Sequence, residues 1–291
     1  MAATDVELPR TFEPVTRRAT VGVVTVTYNS ERFFPEYMAA LEAQTRKPDL
    51  VVLVDSGSTE AGFLDLVNSY NVPVEILRET NVGICVGNNM GWRRVREFDY
   101  TLFLNPDAFL APNFIEKAVQ YLDCHPHVGM VTPSLIRYDI ENHCALDVID
   151  TTGVVRNWHG FPERDQLKPV EALKRYRSPN RIPWLCTAVA MGRREALNAV
   201  VERVDQLFDE SFFMYKDDTD LSWRVRRAGW QIMHHPDLLG YHCRGWQSRR
   251  LMSRTARLLG VRNEVKMCWK NRSPFLLVIL VKYVLVRCLD L

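Results

Sequence analysis

The sequence predicts an α/β fold built on a parallel sheet, and three observations carry that prediction. Val21 to Val26 (VGVVTV) and Leu50 to Val54 are unbroken aliphatic runs, the pattern of strands buried on both faces. Each is followed by a helical stretch, and Val74 to Leu77 supplies a third run, so the order reads βαβαβ with right-handed crossovers. A fourth run, Tyr100 to Leu104, stops abruptly at Asn105-Pro106-Asp107. That stop presents a carboxylate at the carboxyl edge of the sheet, where open α/β sheets bind ligands.

Residues 1–19 are polar and read as a loose arm. The first strand ends at Thr27-Tyr28-Asn29-Ser30, where Asn29 or Ser30 can cap a helix over Glu31 to Gln44. The second ends at Asp55-Ser56-Gly57-Ser58-Thr59, ahead of a helix over Ala61 to Tyr70. Gly83, Gly87 and Gly91 follow the third strand at four-residue intervals. One helical face of glycines admits a close neighbour, either a ligand or the sheet itself. The spacing is not that of a dinucleotide fingerprint. Phe109 to Pro112 leads into a helix over Pro112 to Cys124, and Val128 to Pro133 is a further strand. Residues 135–183 lose periodicity and read as an insertion on the acceptor side. Trp184 to Met191 reads as a strand and Arg193 to Val200 as a helix. Another helix starts near Asp217 and closes at Gly229, before a strand over Trp230 to Met233.

The net charge of +2 conceals an asymmetry: residues 244–291 hold eleven Lys/Arg against two acids, +9, leaving −7 elsewhere. A basic tail on an acidic body points to an anionic partner. The tail has no nucleic-acid-binding signature, so a membrane surface is the expected partner and nucleic acid is not. Seven scattered cysteines without a CxxC pair fit a reducing compartment, and no signal peptide is recognised, so a cytoplasmic protein is expected. The run Phe275 to Val286 is interrupted by Lys282 and is marginal for spanning a bilayer. As an amphipathic helix it would lie on the inner face of the membrane, with Lys282 and Arg287 snorkelling to the headgroups. Packing in a homo-oligomer is the alternative.

Two constellations carry chemistry. An aspartate aimed by the stiff Pro106, beside the amide of Asn105, can hold a hard divalent cation, although Asn-Pro-Asp is also ordinary turn chemistry. The acids Asp217, Asp218 and Asp220 open a helix between Phe212-Phe213-Met214-Tyr215 and Trp223. Carboxylates walled by aromatics hold protons more tightly and serve as general bases, whereas acids in a first helical turn also suit the helix dipole. His242 follows the last strand on the edge where Asp55 and Asp107 are expected. His234 and His235 read as structural.

The ordered set VTYN (26–29 with Thr25 before it), VDSGST (54–59), Asn81-x-Gly83, LNPD (104–107), FDESFFMYKDDTDLSWRVRRAGW (208–230) and YHCRGWQS (241–248) resembles the family 2 glycosyltransferases, most of all their bacterial rhamnosyltransferase-type members. The resemblance covers about residues 20–250. It implies a GT-A fold, which is Rossmann-like and binds nucleotide-diphosphosugars, with a divalent metal (Mg2+ or Mn2+) and an inverting transfer. It divides the chain into the arm at 1–19, a catalytic domain at 20–243 and a basic amphipathic helical extension at 244–291. By resemblance Thr27, Tyr28, Asn29 and Asp55 lie near base and ribose. Asn81, Gly83, Asn89 and Asn105 line the nucleotide-sugar pocket, and Asp107 and His242 take the metal and diphosphate. Asn105 stands where the family has its first metal-motif Asp. Asp217 and Asp218 are both candidates for the base, Asp218 at the family's Asp position. The implied reaction moves a sugar, rhamnose among the candidates, onto a glycan or polyprenyl-linked acceptor in cell-surface polysaccharide synthesis. The rivals are a sugar-nucleotide pyrophosphorylase, whose Gly-, Arg- and Lys-bearing loop is replaced here by TYNSERF, and a non-catalytic sugar-nucleotide-binding protein.

Overall fold

A computed structural model describes residues 18–155, 163–244 and 252–289. The expected arm at 1–19 therefore lies almost wholly outside the described residues. The first half follows the aliphatic runs: β1 (Val21–Thr27), α1 (Phe34–Glu42), β2 (Leu50–Ser56), β3 (Val74–Glu79), α2 (Gly83–Val95), β4 (Tyr100–Leu104), β5 (Ala108–Leu110) and α3 (Phe114–Cys124). The second half adds β6 (Val128–Asp139), β7 (Cys144–Thr151), β8 (Asn180–Arg181), β9 (Val189–Arg193), α4 (Arg194–Asn198), α5 (Asp217–Arg227), β10 (Gln231–His242), α6 (Arg254–Lys270) and α7 (Leu276–Leu289). The strands form one sheet in the order β3-β2-β1-β4-β9-β6-β10-β5, with β7 on β6 and β8 on β10.

The β3-β2-β1-β4 half is parallel, as the aliphatic runs require. The order reverses at β9, which runs antiparallel between β4 and β6. One face is covered by α1 and α3, whose Phe34, Tyr37, Leu41, Phe114 and Leu122 are buried. The other is covered by α2, α5 and α6. The glycine stripe belongs to this second face: a Cβ on Gly91 would lie 2.5 Å from Val24, and one on Gly87 would lie 2.8 Å from Val26. Close packing of helix on sheet accounts for both.

Several expectations change: the strand read over Trp184 to Met191 forms only as β9 (Val189–Arg193), and the strand read over Trp230 to Met233 continues as β10 to His242. Helix α1 begins at Phe34; Ser30 turns its hydroxyl back to the Tyr28 carbonyl and does not cap. Residues 62–69 wind as a 3-10 segment, with the Leu64 N–H on the Ala61 carbonyl. Residues 108–110 are not a lead into a helix but strand β5, antiparallel to the end of β10. The stretch 135–183, read as an aperiodic insertion on the acceptor side, contains regular strands that belong to the sheet. β6 runs twelve residues straight through Pro133, and β7 folds back against it. A proline normally ends such a strand. Here it sits opposite His235, where β10 slips register, so the missing N–H falls at an irregularity.

The tail is folded onto the body. Met267 and Cys268 of α6 and Ile279 of α7 join the core beneath α2 and α5. Lys282, expected at the headgroups, turns inward and pairs with the buried Glu264 at 2.7 Å. Among the described residues no helix is long and apolar enough to cross a membrane.

Candidate active site

The short strand β5 explains why two distant sequence motifs meet. Its pairing sets Ala108 opposite His242, so Asp107 lies beside the imidazole, with Asp107 Oδ2 3.4 Å from His242 Nε2. The Asp107 carbonyl also accepts the Cys243 N–H at 2.9 Å. The other ring nitrogen, Nδ1, faces Asp150 Oδ2 at 2.9 Å. Asp150 is fully buried and is flanked by Arg244, 2.7 Å away, and Arg137, 3.6 Å away. Arg244 also pairs with Glu163. Burial opposes charge on His242, but the two carboxylates outweigh it and push its pKa up to about 10. Burial likewise opposes charge on Asp107 and Asp150, yet His242 holds both below the ordinary carboxylate range.

This donor set fits a divalent cation. A ligating histidine commonly directs its second nitrogen to a carboxylate, as His242 does to Asp150. With its imidazole deprotonated by the incoming metal, His242 would join Asp107 in supplying two ligands, which suits a small cation that takes its remaining oxygens from phosphates and water. Among the described residues no cluster of three or more His, Cys, Asp or Glu is arranged to bind a metal by itself.

The ends of β1 and β2 form the adjoining edge. Asp55 Oδ1 accepts from the Ser58 N–H (3.2 Å) and hydroxyl (2.6 Å). The same hydroxyl takes the Asn29 N–H, while Asn29 Oδ1 takes the Thr59 N–H. These bonds lock the two loops and hold Asn29 in a left-handed conformation, φ 48°. Tyr28 is half exposed above them. Thr27 is fully buried, its hydroxyl without a partner among the described residues. Asn81 is exposed next to Gly83. Asn89 departs from its expected place: its amide is spent on the Phe208 N–H and carbonyl and on Glu210, so it anchors a loop and has no free polar atom to offer a sugar.

The acid run lies on a strained approach. Phe213 has φ 62° and ψ −60°, a tight turn closed by the Met214 N–H on the Phe212 carbonyl. Tyr215 and Lys216 both have φ 69°. Each left-handed residue costs on the order of 1 kcal/mol and persists only where its surroundings dictate it. Gly83, at φ +78°, makes room: a Cβ there would lie 2.5 Å from the Phe213 ring. The Ile84 N–H then reaches the Phe213 carbonyl at 2.8 Å.

From Lys216 onward the three acids diverge. Asp220 is fully buried and accepts from Arg224, Lys270 and Asn271. It ties α5 to the tail and is not open to substrate. Asp217 is buried, and burial together with the Asp218 charge pushes its pKa up. Asp218 is raised by burial too, against Lys216 and Thr219. Its Oδ1 accepts the Thr219 N–H at 2.6 Å, and its Oδ2 has no partner among the described residues.

Asp217 and Asp218 line a cavity of about 870 Å³ together with Asn105, Glu163 and His242. The opposite wall is Met252, Arg257, Val261 and Glu264 of the tail with Lys282 and Val286 of α7. Sequence reasoning missed Asp150, Arg137 and Glu163. All three fall in the stretch that had lost periodicity, and the one signal was an aspartate closing the run Val148-Ile149-Asp150.

Sheet order, reversal at β9 and a carboxylate-lined cavity at the carboxyl edge are those of a GT-A fold. The family model for Glycosyl transferase family 2 matches residues 22–201, and the chain belongs to that family; it is a glycosyltransferase. Among curated proteins it is 24% identical over 245 residues to the N-acetylglucosaminyl-diphospho-decaprenol L-rhamnosyltransferase of Mycobacterium tuberculosis, covering 73% of this chain and 75% of that one. An uncharacterized glycosyltransferase of Haemophilus influenzae is 30% identical over 112 residues, 38% of this chain and 37% of that one. Among solved structures, GalNAc-T7 with UDP, GalNAc and Mn2+ aligns with TM-score 0.66 at 16% identity over 89% of this chain, which spans half of that one. The mannosyltransferase of Pyrobaculum calidifontis with GDP-Man and Mn2+ aligns with TM-score 0.58 at 21% identity, over 93% of this chain and 70% of that one. These likenesses show the fold.

Proposed function

We propose that the protein is an inverting glycosyltransferase that moves a sugar, with rhamnose the first candidate, from a nucleotide-diphosphosugar to a hydroxyl of a lipid-linked glycan in cell-surface polysaccharide synthesis. The observation that carries this reading is the Asp218 carboxylate, with one oxygen unpartnered, facing the same cavity as Asn105 and His242. Asp218 Oδ2 takes the proton of the acceptor hydroxyl as its oxygen attacks the anomeric carbon. The bond from that carbon to the diphosphate breaks on the opposite face, through an oxocarbenium-like state, and the configuration inverts. The β1 and β2 loops hold base and ribose, and Asp107 with His242 faces the diphosphate. A divalent cation held there, Mg2+ or Mn2+, would neutralise the departing charge.

The likeness to a decaprenol-linked rhamnosyltransferase supports a polyprenyl-linked acceptor. So does α7, whose Leu277, Val278, Val281, Val284 and Leu285 form an exposed apolar face at helical spacing, with Leu277 75% exposed. Arg254, Arg272 and Arg287 are exposed around the tail helices. Apolar face and basic surroundings suit an anionic bilayer surface on the cytoplasmic side.

Two experiments test the reading. Nucleoside-diphosphate affinity is measured with and without EDTA for wild type and Asp107→Ala; the reading expects tight binding only for metal-replete wild type, and equal affinity in all four arms sinks the metal site. Co-sedimentation with anionic vesicles is compared for the full chain and the Leu277→Glu, Val281→Glu double variant. Weaker binding by the variant supports the membrane face, and unchanged binding with loss of a dimer shows an oligomer interface instead.

A further inference from the structure

The segment that delivers the acids is held from two sides. On one side the N-terminus of α2 donates the Ile84 and Cys85 N–H groups to the Phe213 carbonyl, at 2.8 and 3.3 Å. On the other stands a single side chain of α6. Asn263 is fully buried, and its Nδ2 lies 2.7 Å from the Phe212 carbonyl, 2.7 Å from that of Met214 and 3.2 Å from that of Tyr215. Three carbonyls converging on one nitrogen can only be met by a donor, which fixes the orientation of the amide. They belong to the residues between and around the left-handed Phe213, Tyr215 and Lys216, so Asn263 satisfies backbone groups that this unusual path leaves without helical or strand partners.

We infer that Asn263 is a positioning residue for transfer: its amide holds the 212–216 turn in the conformation that presents Asp217 and Asp218 to the acceptor, and so makes the C-terminal helices part of the catalytic apparatus. This rests on the reading of Asp218, or its neighbour Asp217, as the base. The neighbouring contacts of α6 hold different parts of the approach. Lys266 binds the Ser211 carbonyl, and Lys270 binds Asp209 and Asp220. Asn263 alone among the described residues of α6 donates to the carbonyls of 212, 214 and 215.

The test compares three full-length variants. Asn263→Ala removes the amide. Asn263→Asp keeps its size and replaces the donor by an acceptor. Met267→Ala, one turn along the same helix and fully buried in the cluster that also holds Phe212, loosens the packing of α6 while leaving every hydrogen bond to the turn in place. Amide hydrogen exchange of residues 212–219 is read first, then turnover of whichever UDP-, GDP- or dTDP-sugar the wild type hydrolyses fastest, then affinity for the matching nucleoside diphosphate. We expect both Asn263 variants to exchange these amides at least tenfold faster and to lose at least tenfold in kcat. Nucleoside-diphosphate affinity should stay within twofold, and Met267→Ala should keep both exchange and kcat near wild type. Asn263→Asp behaving as wild type overturns the inference, and so does Met267→Ala reproducing the Asn263 effects. Failure of the base reading shows separately, as turnover surviving in both Asp217→Asn and Asp218→Asn, while the exchange data still decide whether the turn depends on Asn263.

Discussion

Asp220 and Asp218 stand two residues apart in one acidic run, yet substituting them should have opposite consequences. Asp220 is fully buried and receives Arg224 Nε at 2.9 Å, Lys270 Nζ at 2.9 Å and Asn271 Nδ2 at 3.0 Å. Asp220→Ala strips a buried counter-ion from two cations, a change that typically costs about 3–5 kcal/mol. Residual partners pull the value to the low end. Arg224 keeps the carbonyls of Val200 and Leu207, at 2.6 and 2.7 Å, and Lys270 keeps Glu202 and Asp209. We expect a loss of about 3 kcal/mol, or roughly 6–10 °C in Tm for a chain of this size. Asp220→Asn retains an acceptor but loses the charge, and should lose about half as much. Urea unfolding read by tryptophan fluorescence gives the stability, and nucleotide-sugar turnover well below Tm gives the activity. A loss under about 1 kcal/mol, or abolished turnover in a variant with wild-type stability, would refute the structural role.

Asp218→Asn should lower kcat by at least two orders of magnitude while leaving nucleoside-diphosphate affinity unchanged, as expected for a group acting in the transition state; survival of kcat passes the role to Asp217. The buried Asp217 and the half-buried Asp218 bind protons more tightly folded than unfolded, so they lower stability as pH rises from about 4 through their raised pKa values. Asp217→Asn should therefore raise Tm at pH 8 and leave it unchanged below about pH 4, and kcat/KM should fall on the acid side at a pH above the ordinary carboxylate range; equal Tm shifts at both pH values contradict the burial argument. Gly83→Ala sets a Cβ 2.5 Å from the Phe213 ring at φ +78°, which costs roughly 1–2 kcal/mol for the backbone and displaces the turn before Asp217. Turnover should fall at least tenfold with nucleotide affinity little changed; a loss confined to affinity places Gly83 at the nucleotide instead.

What could be read from residue order was whatever is encoded locally. The runs VGVVTV and LVVLV declare buried parallel strands because they are continuously β-branched or aliphatic on both faces, and Asn105-Pro106-Asp107 declares a stop because Pro106 cannot continue a ladder. The pairing of Asp107 with His242 was expected only as nearness on one edge. What creates it is the register of three residues, Ala108 to Leu110, against the end of β10, and Ala-Phe-Leu carries no mark of a strand. The second half of β6 was hidden for a related reason. Thr132, Ser134 and Arg137 are buried polar residues that spoil an apolar pattern, tolerable because partners such as the Val189 carbonyl, His234 and Asp150 come from elsewhere in the sheet. With the second half of β6 lost from view, β7 went too, and with it Asp150, which orients His242. The acidic run shows the same limit within four residues. Asp217, Asp218 and Asp220 are equivalent by composition and by helix position. They differ because Lys270, fifty residues on, neutralises one of them while Asn271 donates a hydrogen bond to it, and because Asn263 holds the turn that aims the others. An asparagine inside a basic helix gives no sign of that task in the sequence, since the carbonyls that define it belong to another part of the chain.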